Sequence, residues 1–173
     1  QHLAAGHPQR VKSLALMMTT SGARHLPQPS LQVRRLLLMP PRSQAVEDVV
    51  ERLAQVLKVI GSPAYPTDPA LLRQHLTLAV QRAYRPAGTA RQLLAVVADG
   101  DRTPLVRRIT APTCVLHGAA DPLIPVAAGR DLAQHIAHSQ LQLFEGMGHD
   151  LPAALLPRLA QAIAGNAERV GSP

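Results

Sequence analysis

Hydrophobic residues in the middle of the chain recur at the spacing of an amphipathic helix. Between residues 45 and 60 they fall at positions i, i+3, i+4, i+7, i+10, i+11 and i+14, which places them on one continuous face. Gly61 and Pro63 follow, and both residue types commonly end a helix. The pattern therefore predicts a long helix whose buried face consists of Val46, Val49, Val50, Leu53, Val56, Leu57 and Ile60.

Three further helices are predicted after this one. Asp68 is a suitable N-cap and Pro69 suits the first helical position, so a second helix is expected to begin there. A third is expected over residues 89–100 and a short fourth over residues 103–109. The inner face of the second helix is predicted to consist of Leu71, Leu72, His75, Leu76, Ala79 and Val80.

Short apolar runs near both ends of the chain are typical of buried strands. They occupy residues 11–18, 113–118 and 141–146. Helical patterns follow the last two, over residues 128–137 and 153–167. Strands that alternate with helices in this way predict a parallel sheet covered by helices.

The predicted fold class is therefore α/β, with about three parallel strands and flanking helices. Between the first strand and the second lies a helical insertion (residues 23–109). Its length of about 85 residues far exceeds that of an ordinary connecting loop. We expect it to form a small subdomain over the carboxyl edge of the sheet.

Composition narrows the possible partners. Hydrophobic residues make up 46% of the chain, enough for a sizeable core, while the aromatic residues are only Tyr65, Tyr84 and Phe144. The formal net charge is +7, but the basic residues are scattered and the aromatic residues needed to stack on single-stranded nucleic acid are too few. No apolar run reaches the roughly 18 residues of a membrane span, and no leader opens the chain. A cytoplasmic protein without a nucleic-acid partner is expected, with its oligomeric state left open.

Ionisable residues follow two consecutive strands at the points where the strands end. Asp121 comes after the strand at 113–118, and His149, in the segment EGMGHDLP, comes after the strand at 141–146. The carboxyl ends of parallel strands meet at one edge of a sheet, so these two side chains can meet there. An aspartate that accepts a hydrogen bond from one imidazole nitrogen fixes the tautomer and leaves the other nitrogen free as a base. Turn formation by Asp121 and a surface position for His149 are the simpler alternatives.

The remaining polar candidates are expected to be structural. His117 ends a strand beside Gly118, and Asp150 is expected to cap the next helix. Cys114, the single cysteine, lies among apolar residues and is expected in the core. Asp121 and His149 lack the further ligands of a zinc site, and no glycine-rich phosphate loop is present. No metal and no cofactor are expected.

Three longer segments resemble the α/β-hydrolase superfamily. RRITAPTCVLHGAADPLIPVAAGRDLA and LQLFEGMGHDLP resemble its C-terminal part, and the branch is esterase-like, similar to aclacinomycin methylesterase. AAGHPQRVKSLALMMTTSG resembles the segment that follows the nucleophile helix. The resemblance implies that residues 1–22 hold the end of that helix and the sixth strand, 23–109 a helical cap, and 110–173 the C-terminal core. It also implies that Asp121 is the acid and His149 the base of a catalytic triad.

The sequence departs from the family pattern at the nucleophile. The family's G-x-S-x-G elbow is absent, since no serine of the chain has the required glycines around it. The chain also begins with Gln1. The expectation is a C-terminal fragment that starts just after the nucleophile and is inactive by itself. The strand at 11–18 would then have an unpaired apolar edge.

The expected function is that of a serine-type hydrolase acting on a small, apolar carboxylic ester. Such a substrate would lie between the sheet and the helical insertion, among leucines and valines. The same Asp–His pair could instead serve a lipase, peroxidase, dehalogenase or C–C hydrolase. A different kind of alternative is a binding or interaction module without catalysis, such as a truncated paralogue of the same fold.

Overall fold

A parallel three-stranded sheet forms the centre of the molecule. The computed structural model describes residues 1–170. The strands are β1 (Leu14–Met17), β2 (Thr113–Gly118) and β3 (Gln140–Phe144), in the order β1-β2-β3. Leu14 lies opposite Thr113, and Cys114 lies opposite Gln140. The predicted α/β class with three parallel strands is confirmed.

Eight α-helices accompany the sheet in the described part of the chain. Short 3₁₀ turns occur at Pro8–Arg10 and Ala153–Leu155. None of the helices of residues 1–170 is long and apolar enough to span a membrane. The helices are α1 (His2–Gly6), α2 (Leu31–Leu38), α3 (Val46–Ile60), α4 (Pro69–Ala83), α5 (Pro86–Asp99), α6 (Thr103–Val106), α7 (Ala127–His135) and α8 (Leu156–Glu168).

The hydrophobic core lies on both faces of β2, all of whose residues are buried. Successive side chains of a strand point to opposite faces, so Val115 packs on one side and Cys114 and Leu116 on the other. On the first side Val115 meets residues of α1, α6 and α7, including Leu132. On the second side Phe144 and residues of α8, including Leu159, complete the cluster. The central strand is thus covered by helices on both faces, as the sequence pattern predicts.

Within the helical insertion, α3 packs against α4 through a cluster formed by Val49, Val50 and Val80. The predicted inner face of α4 is wrong in part, because Leu71, His75 and Ala79 are exposed. Only the side of α4 that bears Leu72, Leu76 and Val80 turns toward partners, so its buried stripe is narrower than predicted. Every residue from 91 to 100, on α5 and just after it, is exposed.

Several predicted boundaries need correction. The first strand is shorter than the predicted 11–18. A 3₁₀ turn precedes it and ends at Arg10, and pairing with β2 covers only Leu14–Met17. The third predicted helix begins earlier than residue 89, with Pro86 in its first turn. The fourth ends at Val106, before the predicted residue 109. The last helix, α8, begins at Leu156 and not at the predicted residue 153, with Pro157 in its first turn.

The segments that lead into and out of the helical insertion lie side by side and are hydrogen-bonded to each other. The backbone N–H of Arg102 donates to the carbonyl oxygen of Ser21 at 2.8 Å, and its guanidinium donates to the carbonyl oxygen of Thr20. Gly22 has φ +77°, and a Cβ on it would collide with the backbone of Gly100. Glycine is required at position 22 because of both the left-handed conformation and this close approach.

Candidate functional site

Asp121 lies in a turn directly after β2 and its side chain is fully buried. One carboxylate oxygen, Oδ1, accepts the backbone N–H groups of Leu123 and Ile124, each at 2.8 Å. An aspartate that accepts main-chain donors two and three residues ahead is typical of such a turn. The turn therefore fixes the carboxylate and leaves its second oxygen, Oδ2, for another donor.

His149 lies in the turn that follows β3, the His149 turn (residues 145–150). Gly146 takes a left-handed conformation there, with φ +69°. The backbone N–H of His149 donates to the carbonyl oxygen of Ile60 at 2.7 Å, so the turn is attached to the end of α3. The imidazole is 26% exposed, which leaves it accessible at the surface of the sheet edge.

The two side chains form a hydrogen bond. His149 Nδ1 lies 2.8 Å from Asp121 Oδ2. Because an ionised carboxylate can only accept, Nδ1 carries the proton and donates it. In residues 1–170, the ring's other nitrogen, Nε2, has no hydrogen-bond partner. The geometry therefore yields an imidazole of defined tautomer whose second nitrogen can take up a proton.

His117 lies beneath this pair and is completely buried, in keeping with the structural role predicted for it. Its Nε2 lies 2.8 Å from the carbonyl oxygen of Ile124 and 3.8 Å from Asp121 Oδ2. Its Nδ1 is buried without a partner in the described residues, against Gly129, where a Cβ would lie 2.6 Å from that nitrogen. His117 thus supports the Asp121 turn from below.

Asp150 does not cap a helix, so that prediction is wrong. Its carboxylate accepts the hydroxyl proton of Ser62, and the same hydroxyl oxygen accepts the N–H of Gly148 at 2.9 Å. Ser62 is 88 residues away in sequence and only 5% exposed. Sequence reasoning missed this contact because the glycine–serine–proline segment at 61–63 was interpreted only as a helix stop.

Several serine hydroxyls of the described residues hydrogen-bond to other groups. Ser21, for example, donates to the buried carboxylate of Asp131 at 2.6 Å. Within residues 1–170 no serine hydroxyl hydrogen-bonds to His149; Ser172 lies outside the described residues. Over the same range, no group of three His, Cys, Asp or Glu side chains could hold a metal ion.

Among the open concavities of the described surface are two that involve helices of the insertion. One, of about 600 Å³, is lined by His2 and by residues of α5, including Val96. The other, of about 450 Å³, lies between α3 and α4. Neither includes Asp121 or His149 in its lining. The predicted apolar substrate pocket therefore stays a prediction.

Comparison with known proteins identifies the family of the chain. The model of the family described as serine aminopeptidase, S33, matches residues 2–153. A pimeloyl-[acyl-carrier protein] methyl ester esterase of Chromobacterium violaceum is 32% identical over 152 residues, 86% of this chain and 58% of the relative. A rhodomycin D methylesterase of Streptomyces peucetius is 27% identical over 141 residues, 80% of this chain and 47% of the relative. The chain thus spans about half the length of these relatives.

Solved structures support the fold. An esterase from Rhodococcus sp. ECU1013 superposes with a TM-score of 0.67 at 20% identity, over 98% of this chain and 60% of that one. A membrane phospholipase A superposes with a TM-score of 0.68 at 21% identity, over 98% of this chain and 53% of that one. At these identities the likeness concerns the fold alone.

Proposed function

Because the chain belongs to the serine aminopeptidase S33 family of the α/β-hydrolases, we propose that it supplies the acid and base of an ester hydrolase. Asp121 is the acid and His149 the base. The observation that carries the proposal is the 2.8 Å hydrogen bond from His149 Nδ1 to the buried Asp121 carboxylate. Relatives whose names describe methyl ester esterases support carboxylic esters as the substrate class.

The proposed reaction uses His149 twice. His149 Nε2 takes the proton of a serine hydroxyl while the serine oxygen bonds to the ester carbonyl carbon. The protonated ring then gives that proton to the departing alkoxide as the carbon–oxygen bond breaks. A water molecule, deprotonated by the same nitrogen, releases the acid and regenerates the serine. Asp121 stabilises the imidazolium in both halves, and backbone amides would hold the oxyanion.

The nucleophile in this proposal is not among residues 1–173. Two facts support this: the G-x-S-x-G pattern does not occur in the sequence, and no serine of residues 1–170 contacts His149 through its hydroxyl. Loss of the triad serine lowers turnover by about 10⁶-fold in a well-studied serine protease. Residues 1–173 alone should therefore show no ester hydrolysis that depends on His149.

The substrate is proposed to be a small apolar ester held beneath the helical insertion, which would act as a cap over the site. Exposed leucines and valines in this segment support an apolar acyl or alkyl group. They lie on α4 and α5 and are Leu71, Leu78, Leu93, Leu94, Val96 and Val97.

A chimera tests the proposed function. Residues 2–153 would replace the matching segment of the Chromobacterium violaceum esterase, whose remaining part would supply the rest of the fold. With a p-nitrophenyl ester, His149→Ala and Asp121→Asn should each lower kcat by about 10⁴-fold or more. His135→Ala is the matched control, because His135 also contacts an aspartate, Asp131, but lies on α7.

Turnover in the chimera that survives His149→Ala would refute the assignment of the base. Hydrolysis by residues 1–173 alone that disappears in His149→Ala would keep the base but place the nucleophile inside the chain. Retention of ester binding with no turnover in a well-folded chimera would favour the binding module instead.

A further inference from the structure

We infer that Ser62 is a positioning residue for His149, acting from the helical insertion through Gly148 and Asp150. The inference rests on the proposed function, since it assigns a role in that same site. Ser62 touches no substrate in this scheme. It fixes the turn that carries the base.

Three consecutive residues of the His149 turn are bonded to the segment that ends α3. The N–H of Gly148 donates to Ser62 Oγ at 2.9 Å. The N–H of His149 donates to the carbonyl oxygen of Ile60 at 2.7 Å. The carboxylate of Asp150 accepts the hydroxyl proton of Ser62. The residues on both sides of His149 are therefore held by one hydroxyl, which donates once and accepts once.

The two segments are in direct backbone contact. A Cβ on Gly148 would lie 2.6 Å from the carbonyl oxygen of Ile60, well inside van der Waals contact. Ser62 follows this contact in the chain and is itself buried, at 5% exposed. Serine supplies there the shortest side chain that both donates and accepts a hydrogen bond.

Loss of this hydroxyl would act on His149 through the backbone. Without it the buried N–H of Gly148 has no acceptor and the carboxylate of Asp150 loses its donor. Gly148 is the residue directly before His149. Loss of its hydrogen bond therefore allows the turn, and with it the imidazole, to move relative to Asp121. Catalytic groups tolerate displacements of only about 0.5 Å, and misplacement by 1 Å can cost about 10²-fold in rate.

Amide hydrogen exchange and imidazole NMR on residues 1–173 test the inference without any need for turnover. In Ser62→Ala, exchange of the Gly148 amide should accelerate by about 10-fold or more, since one buried hydrogen bond is lost. The low-field Nδ1–H signal of His149 should broaden or vanish. The amide of Met147, bonded to the carbonyl oxygen of Phe144, should be unaffected. Ser62→Thr keeps the hydroxyl and should retain both wild-type signals.

Ser43 offers a matched control in the same chain. Its hydroxyl also donates to a carboxylate, Asp48 at 2.6 Å, and accepts a backbone N–H, from Ala45 at 3.1 Å. It lies exposed before α3, at the opposite end of the helix from the His149 turn. Ser43→Ala should leave the Gly148 exchange and the His149 signal unchanged.

The inference is overturned if Ser62→Ala folds and leaves both signals as in the wild type. If Ser62→Ala does not fold, Ser62→Thr decides. A folded Ser62→Thr that lacks the His149 Nδ1–H signal contradicts the inference, and one that keeps the signal supports it.

In the chimera, Ser62→Ala should lower kcat by about 10-fold to 10²-fold with KM unchanged. If His149→Ala left the turnover of that chimera unchanged, the proposed function would be refuted. The hydrogen-exchange result would still decide the role of Ser62.

Discussion

The backbone N–H of His149 donates to the carbonyl oxygen of Ile60, the last residue of α3, at 2.7 Å. The last four carbonyl groups of a helix have no partner within the helix. One of them is here satisfied by the turn that carries the proposed base. The end of α3 and the position of His149 therefore depend on the same hydrogen bond. A change at this contact should affect both.

Gly148→Ala tests this dependence through stability. A Cβ at position 148 would lie 2.6 Å from the carbonyl oxygen of Ile60, so the backbone must move apart. Overpacking of this kind costs about 1–3 kcal/mol. Urea unfolding of the purified chain should show a loss of that size in the free energy of unfolding.

Gly165→Ala is the control for that substitution. Gly165 lies inside α8, and nothing lies within 4 Å of a Cβ built on it. Alanine in a helix interior is preferred over glycine by about 0.5–1 kcal/mol, so this variant should be slightly more stable than the wild type. Equal free energies of unfolding for the two variants would contradict the tight contact at Gly148.

The contact between Asp99 and Arg102, where the helical insertion rejoins the core, should make stability depend on pH. The hydrogen bond from Arg102, and next the one from His2, hold the pKa of the Asp99 carboxyl below its usual range. A carboxyl with a lowered pKa in the folded state stabilises the fold above its unfolded pKa, and this stabilisation disappears as the pH falls through the folded pKa.

The melting temperature of Asp99→Asn should therefore lie below that of the wild type at neutral pH. The difference should narrow as the pH falls below about 4, the usual pKa of an aspartate. If the difference in melting temperature stayed constant as the pH fell below about 4, the charge of Asp99 would make no contribution to stability.

Cys114 should react slowly in the folded protein. Burial raises the pKa of its thiol, and the residue is 3% exposed on the central strand. The thiolate is the reactive form, so both effects suppress reaction with a disulfide reagent such as DTNB. At about pH 8 the rate should rise by about 10²-fold or more when the chain is unfolded in guanidinium chloride. Rapid labelling of the native chain would show that β2 is not buried as described.

The strands and the Asp121–His149 contact could be anticipated because both depend on local signals. Apolar runs that end in glycine mark where parallel strands stop, and the carboxyl ends of neighbouring strands share one edge. Asp121 and His149 each follow such a run, so their proximity follows from topology. The role of the pair is a proposal that goes beyond this proximity.

The role of Asp150 could not be anticipated because its partner is remote. Its hydrogen bond to Ser62 spans 88 residues, and an aspartate before a helix is more often a cap. The exposure of α5 could not be predicted from the sequence either. Leu93, Leu94, Val96 and Val97 give it an apolar composition without a single narrow stripe, so the pattern predicts a helix but not what it packs against.

The tautomer of His149 in residues 1–173 tests most directly whether Asp121 holds this ring as a base. Nitrogen-15 NMR of the imidazole distinguishes the two neutral forms. A proton on Nδ1 with a bare Nε2 is expected in the wild type, and this preference should be lost in Asp121→Asn but kept in Asp131→Asn. A wild-type ring protonated on Nε2, or one indifferent to Asp121→Asn, would contradict the proposed acid–base pair.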